Sequence, residues 1–139
     1  MAACCPLAGS SFVVRTKPPL KGDDIVQYAL LLYRNPDVYD ALSEDERQAV
    51  SAEYWAILDD PRIVTGMGLQ PVETATTVRA EDGETLVTDG PFANTKEVFA
   101  GMYLLEADDL DAALEVARSL PTTRLGGAVE IRPVVEPVP

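Results

Sequence analysis

The chain has 139 residues, of which 47% are hydrophobic and 24% charged, and this composition predicts one globular domain with a single core. Its 11 basic and 23 acidic residues give a formal net charge of −12, which repels phosphate backbones and anionic lipids, so nucleic-acid and membrane binding are not expected. Histidine is absent, which excludes the commonest general base, the commonest metal ligand and every histidine-containing triad.

Residues 1–24 are predicted to be an N-terminal extension to a single domain at residues 25–139. Prolines, glycine and small residues in this segment interrupt any helical or strand periodicity beyond a short run. An ordered arm, a disordered tail and a vector-derived or wrongly assigned start all stay open. Cys4 and Cys5 are interpreted as free thiols, since adjacent cysteines rarely bridge each other. The start lacks the pattern of a secretory signal, and a cytoplasmic location is expected.

The first predicted element is a strand at residues 25–33, IVQYALLLY, which is apolar on both faces. Its alternating residues are Val26, Tyr28, Leu30 and Leu32 on one face, and Ala29, Leu31 and Tyr33 on the other. Residues 34–41 are interpreted as a connecting segment. Ser43 and Glu46 then form a capping box that begins a helix, and Pro61 ends it. The apolar stripe of this helix consists of Val50, Tyr54, Ile57 and Leu58.

A strand, a hairpin of two strands and another strand are predicted next. Residues 62–71 contain two glycines and suit an edge strand or a bulge. Asp82-Gly83 separates two alternating runs within residues 75–90, which is the pattern of a β-hairpin. After a turn at Asp89, residues 97–106 form another strand that is apolar on both faces.

A helix and an edge strand complete the chain. The helix, at residues 107–121, is predicted to be capped by Asp108 or Asp109. Its inward residues are expected to be Leu110, Leu114, Ala117 and Leu120. The last strand lies at residues 128–136, where Pro133 suits an edge position.

The order of elements predicts an α+β fold of the ferredoxin-like βαββαβ type with an extra β-hairpin. The two strands that are apolar on both faces would be central, and both helices would cover one face of the sheet. Tyr28, Leu30 and Tyr103, or their neighbours, are expected on the uncovered face, where a second subunit could shield them. The pattern therefore predicts a homodimer that packs sheet to sheet.

Residues 74–121 carry motifs that occur together, in this order, in one protein family. The matching residues are Thr76-Thr77-Val78-Arg79, Asp89-Gly90-Pro91-Phe92, Lys96-Glu97, Gly101, Tyr103, Leu110, Asp111, Ala113 and Pro121. On these residues the chain resembles the YCII-related family, in its DGPF-domain branch, over roughly residues 25–135. The resemblance implies a bacterial protein with the dimeric α+β barrel, a dimer of ferredoxin-like subunits.

The chain departs from the family pattern at two points that concern chemistry. Asn94 stands where a glutamate is usual in this branch. The family's best-understood chemistry resembles dehydrochlorination of a hydroxylated aromatic by a His–Asp pair, which a chain without histidine cannot perform. Members are often encoded near extracytoplasmic-function sigma factors, so the resemblance also implies a regulatory alternative.

Asp89 is the candidate catalytic residue. A carboxylate at a strand end can act as an acid or base if burial raises its pKa, or it can simply hydrogen-bond the turn that follows. Both interpretations stay open. The candidate ligand-binding residues are Tyr28, Tyr103, Phe92, Lys96, Glu97, Arg79 and Arg132.

Each ligand-binding candidate has a structural alternative. Tyr28 and Tyr103, like Tyr33, could line a pocket or instead pack in the core or the dimer interface, and Phe92 could be a plug in the core. Lys96 and Glu97 would point to opposite faces of a strand and could be exposed or salt-bridged. Arg79 and Arg132 could pair with Glu130 or a neighbour. Asp108, Asp109 and Asp111 fit helix capping better than metal binding, and no metal, nucleotide or flavin cofactor is predicted.

Two functions therefore stay open. One is a small-molecule site on the open sheet face near Asp89, in an enzyme acting on a hydroxylated or aromatic metabolite by acid/base chemistry. The other is a non-catalytic regulatory or interaction protein, such as a partner of a sigma factor.

Overall fold

The structure of the protein is a computed structural model that describes residues 25–93 and 95–135. The predicted extension at residues 1–24, with Cys4 and Cys5, and the departure at Asn94 lie outside these described residues.

Six strands and four α-helices make up the described chain. The strands are β1 (Val26–Arg34), β2 (Ile63–Gly68), β3 (Thr76–Glu81), β4 (Glu84–Asp89), β5 (Val98–Ala107) and β6 (Ala128–Pro133). The helices are α1 (Pro36–Asp40), α2 (Glu44–Ile57), α3 (Leu110–Ser119) and α4 (Pro121–Arg124), with a 3₁₀ turn at Val72–Thr74. No helix within this described part of the chain is long and apolar enough to cross a membrane.

The four-stranded sheet has the order β2-β5-β1-β6, and all its neighbours are antiparallel. This order confirms the predicted ferredoxin-like arrangement, with the two doubly apolar strands, β1 and β5, at the centre. Strands β3 and β4 form a separate two-stranded sheet. Its turn at Asp82-Gly83 has positive φ at both residues, as expected for the tight hairpin that the sequence predicts.

Local sequence accounts for where the helices begin. Ser43 accepts a hydrogen bond from the Glu46 amide, and the Glu46 side chain accepts one from the Ser43 amide, which completes the predicted capping box. Helix α1 was expected to be only a connection. It forms because the Asn35 side chain caps it and Pro36 occupies its first turn.

Helix α3 differs from the sequence prediction at its apolar stripe. Leu110, predicted to point inward, occupies the first helical position and is 51% exposed. The buried residues begin one turn later, at Ala113, Val116 and Ala117. The predicted cap is confirmed as Asp109, whose carboxylate accepts a hydrogen bond from the Ala112 amide at 3.0 Å.

The main core lies between the helices and one face of the sheet. Cross-strand pairs Tyr28–Leu105 and Leu30–Tyr103 place four buried side chains on this face. The Tyr103 hydroxyl donates to the Tyr54 carbonyl oxygen in α2 at 2.7 Å, and Tyr103 is 0% exposed. Tyr28, Leu30 and Tyr103 therefore lie on the face that the helices cover, and the uncovered face carries their neighbours, the alternative that the sequence left open.

The opposite side of the sheet, called here the second face, carries the other alternating residues. Cross-strand pairs Leu31–Met102 and Ala29–Leu104 are half-buried on it. At one end of this face, β1 ends beyond Tyr33 and β5 begins, and this end carries the candidate site.

Candidate ligand-binding cavity

A cavity of about 440 Å³ lies at the end of the second face where β1 ends and β5 begins. Tyr33 and Phe99 contribute to it from the two strands, and the rest of its described wall comes from two loops, one within residues 69–75 and the other within residues 91–93 and 95–98. Most of these side chains are apolar. A largely apolar concavity of this size with a few polar groups is typical of a small-molecule site.

The first loop follows β2 and is fixed by backbone hydrogen bonds. The Leu69 amide donates to the Ala100 carbonyl of β5 at 2.8 Å, which continues the strand pairing for one residue. The chain then turns at Pro71, whose carbonyl accepts both the Thr74 amide at 2.9 Å and the Thr74 hydroxyl at 2.7 Å. Leu69, Pro71 and Val72 are thereby held on the cavity wall.

The second loop begins with the Asp89-Gly90-Pro91-Phe92 corner. Gly90 has a φ of +104°, a conformation that residues with a Cβ rarely adopt, so the corner requires glycine. Its amide donates to the Ala75 carbonyl at 2.7 Å, and its carbonyl accepts the Thr77 hydroxyl at 2.7 Å. These bonds attach the corner to the start of the hairpin and bring the two loops together.

Asp89 is exposed at the end of β4 and is not part of the cavity wall. Its backbone pairs with Thr76 across the hairpin. The catalytic role of Asp89 stays a prediction.

Phe92 lies on the cavity wall but is 72% exposed, so the interpretation of this ring as a core plug is wrong. The corner carries it away from the sheet because Gly90 and Pro91 redirect the chain. The Arg79 guanidinium lies over the Phe92 ring at 5.1 Å from the centroid, a cation–π contact between the hairpin and the corner. Arg79 therefore contacts a residue of the cavity wall.

Lys96 and Glu97 precede β5, which starts at Val98, so they do not alternate across a strand as expected. Both are exposed. Glu97 is part of the cavity wall, whereas Lys96 is not. The structure thus separates two adjacent candidates, and only the carboxylate contributes to the cavity.

Tyr33 and Phe99 are paired across β1 and β5, with ring centroids 5.7 Å apart and ring planes inclined at 57°. Tyr33 was considered as a pocket residue from its strand position. Phe99 was not considered as a pocket residue. Its position, as an aromatic residue at the start of a strand that is apolar on both faces, is the signal that could have indicated it. The loop at residues 69–75 has no periodic sequence pattern that would have indicated that it lines a cavity.

The candidates Tyr28, Tyr103 and Arg132 lie away from the cavity. Both tyrosines are buried in the core on the helix-covered face. Arg132 of β6 pairs with Ala29 of β1. Its guanidinium donates to the Glu130 carboxylate at 2.9 Å. The hydrogen bond and charge of Glu130 raise the pKa of Arg132 above its ordinary value. This ion pair is the structural alternative that the sequence offered for Arg132.

The structure describes residues 25–93 and 95–135, and metal-ligand geometry can be judged for these residues. Within those ranges no group of three or more Cys, Asp or Glu side chains is arranged to hold a metal ion. The acidic residues at the start of α3 include the helix cap Asp109.

Comparison with known proteins assigns the chain to a family. The family model described as the YCII-related domain matches residues 26–137. An uncharacterised protein of Rhizobium meliloti (strain 1021) is 37% identical over 115 residues, which cover 77% of this chain and 90% of that protein. The chain therefore belongs to the YCII-related domain family.

Proposed function

We propose that the protein binds a small, largely apolar organic molecule in the cavity beside the Asp89-Gly90-Pro91-Phe92 corner. The observation that carries this proposal is the cavity itself, about 440 Å³ in volume and lined mainly by apolar and aromatic side chains. An aromatic or hydroxylated metabolite fits such a lining, because Tyr33 and Phe99 offer ring contacts and Glu97 offers hydrogen-bond acceptors.

Binding is better supported than proton transfer at Asp89. A general acid or base must come within hydrogen-bond reach of the proton that it transfers. Asp89 is exposed and lies outside the cavity wall, although Gly90 and Pro91 connect it directly to that wall. The proposed enzyme activity therefore depends on a substrate that extends from the cavity to the corner.

The proposal is tested by ligand-observed and protein-observed NMR with a library of small aromatic and hydroxylated compounds. Compounds that bind should shift the amide signals of Leu69, Val72 and Phe99 first. Phe99→Ala should weaken their binding, whereas Asp89→Asn should change turnover of a true substrate but not its affinity. Hits that shift only residues distant from the cavity would refute the proposal.

The proposal includes a homodimer formed through the second face. Its support is the row of apolar side chains at Ala29, Leu31, Met102 and Leu104, which a second copy of the sheet would cover. Light scattering on the purified protein at micromolar concentration should give twice the chain mass. Leu104→Glu, which places a charge in the proposed interface, should give the monomer mass. A wild-type monomer would overturn the dimer.

A second candidate function is that of a non-catalytic interaction protein, and one observation favours it. Val78 and Val87 pair across the β3–β4 hairpin and are 62% and 63% exposed. Purified extracytoplasmic-function sigma factors from the same genome are the partners to test. Binding that is lost in the Val78→Thr, Val87→Thr double variant and kept in Phe99→Ala would favour interaction over ligand binding.

A further inference from the structure

The electrostatic character of the cavity bears on the charge of its ligand. Glu97 is the charged side chain on the described part of the wall, and its carboxylate can only accept hydrogen bonds when ionised. The chain as a whole carries a formal charge of −12, which raises the local concentration of cations near its surface. Both features favour a positively charged ligand.

The wall also holds three aromatic rings, those of Tyr33, Phe92 and Phe99. Aromatic faces attract cations through their quadrupole, and combinations of such rings recognise ammonium groups in other proteins. The Phe92 ring already has a cation over it in this structure, because the Arg79 guanidinium lies 5.1 Å from its centroid. Phe99 forms a tilted pair with Tyr33 and is still 40% exposed, which leaves part of its surface for a second cation.

The hydroxyl groups of the two threonines on the wall are engaged elsewhere. Thr74 donates to the Pro71 carbonyl, and Thr95 donates to the Glu97 carbonyl. Their protons are therefore not available to an anionic ligand. The side-chain donors left on the described wall are neutral, the Gln70 carboxamide and the Tyr33 hydroxyl, whereas a cation meets one carboxylate and three rings.

We infer that the ligand of this cavity is an organic cation, an ammonium or guanidinium group carried on an apolar body. This inference rests on the proposed binding function and adds the charge of the ligand to it. The apolar body contacts the loop at residues 69–75, and the cationic group lies between Glu97 and the aromatic rings.

Three probes built on one benzene ring test the inference: phenyltrimethylammonium, benzyl alcohol and benzoate. Their affinities for the full chain are measured by NMR titration of the backbone amides at constant ionic strength. We expect phenyltrimethylammonium to bind about tenfold more tightly than benzyl alcohol, and benzoate to bind most weakly.

Two variants and a control locate the source of that preference. Glu97→Gln should weaken cation binding about tenfold and leave benzyl alcohol binding within about twofold. Phe99→Leu should weaken the cation more than the alcohol, because leucine keeps an apolar contact but lacks a ring face. Glu84→Gln removes the same charge from the exposed hairpin, outside the cavity wall, and should leave all three affinities unchanged.

The outcomes separate this inference from the binding function on which it rests. Binding of benzyl alcohol or benzoate at least as tightly as the cation would overturn the inference and leave the proposed function standing. An equal loss of cation binding in Glu84→Gln and Glu97→Gln would also overturn it, because the preference would then arise from overall charge. If none of the three probes shifts the cavity amides, both the inference and the proposed function fail.

Discussion

Replacement of Gly90 by alanine separates an architectural role of the Asp89-Gly90-Pro91-Phe92 corner from a chemical one. Gly90 has a φ of +104°, and a Cβ built on it would meet no atom within 4 Å. The cost of the substitution is therefore backbone strain without steric overlap. Strain of this kind is worth about 1–3 kcal/mol. In domains near this size, each ~1 kcal/mol lowers Tm by roughly 2–8 °C.

The same strain should reach the cavity. If it is relieved by a shift of the corner, the hydrogen bonds of Gly90 to Ala75 and Thr77 weaken, and Phe92 leaves its place on the wall. Restoring the wall on binding then costs the same energy, so affinity for phenyltrimethylammonium should fall about fivefold to a hundredfold.

The assay is a pair of measurements, Tm by calorimetry and affinity by NMR titration. Gly83→Ala is the matched control, because Gly83 also has a positive φ, of +81°, with no atom within 4 Å of its Cβ position, but lies at the tip of the hairpin. It should cost stability without reducing affinity. An unchanged affinity in Gly90→Ala together with a lost affinity in Asp89→Asn would refute the architectural role, since the motif would then act through its carboxylate.

Three further changes test the core and one surface ion pair. Gly66→Ala should lower Tm by several degrees because its Cβ would lie 2.7 Å from the Tyr103 ring; an unchanged Tm would show that the ring shifts freely. Tyr103→Phe removes the hydroxyl that donates to the Tyr54 carbonyl, and denaturant unfolding should show a loss of about 1–3 kcal/mol, whereas no loss would mean that water replaces the hydroxyl. The hydrogen bond and charge of Arg124 lower the pKa of Glu53, so their contribution to stability is present above the ordinary glutamate pKa of about 4.3 and is lost as the pH falls through the folded-state pKa. The Tm difference between wild type and Arg124→Gln should accordingly shrink on acidification, and a difference that persists at pH values well below that range would contradict this origin.

Local chemistry explains which parts of the fold the sequence predicted. The capping box at Ser43 and the hairpin turn at Asp82-Gly83 depend on neighbouring residues only, and both are confirmed. The sequence left open which residues occupy the uncovered sheet face, because β1 is apolar on both sides. Alternation identifies which residues share a face, as Tyr28 and Leu30 do, but not which face the helices cover.

The cavity was less accessible to prediction. Its loops, within residues 69–75 and 91–98, lie about twenty residues apart in the chain and meet because the hairpin pairing and the hydrogen bonds of Gly90 to Ala75 and Thr77 join them. No periodicity marks loop residues as neighbours. The corner motif indicated the right region, since Phe92 and Glu97 lie on the wall, but Phe99 became evident only once β1 and β5 were paired.

The cavity is bounded mostly by two loops, whereas the sheet belongs to the packed core. This division determines how ligand preference could change among related chains. Substitutions within residues 69–75 and 91–98 alter the wall while leaving the buried β1 and β5 side chains in place. Exchanging both segments together between related chains should therefore transfer the ligand preference, while the strands and the core stay unchanged. Exchanging one alone would leave a wall of two unmatched halves, because the backbone bond from the Gly90 amide to the Ala75 carbonyl holds the segments side by side whichever side chains they carry.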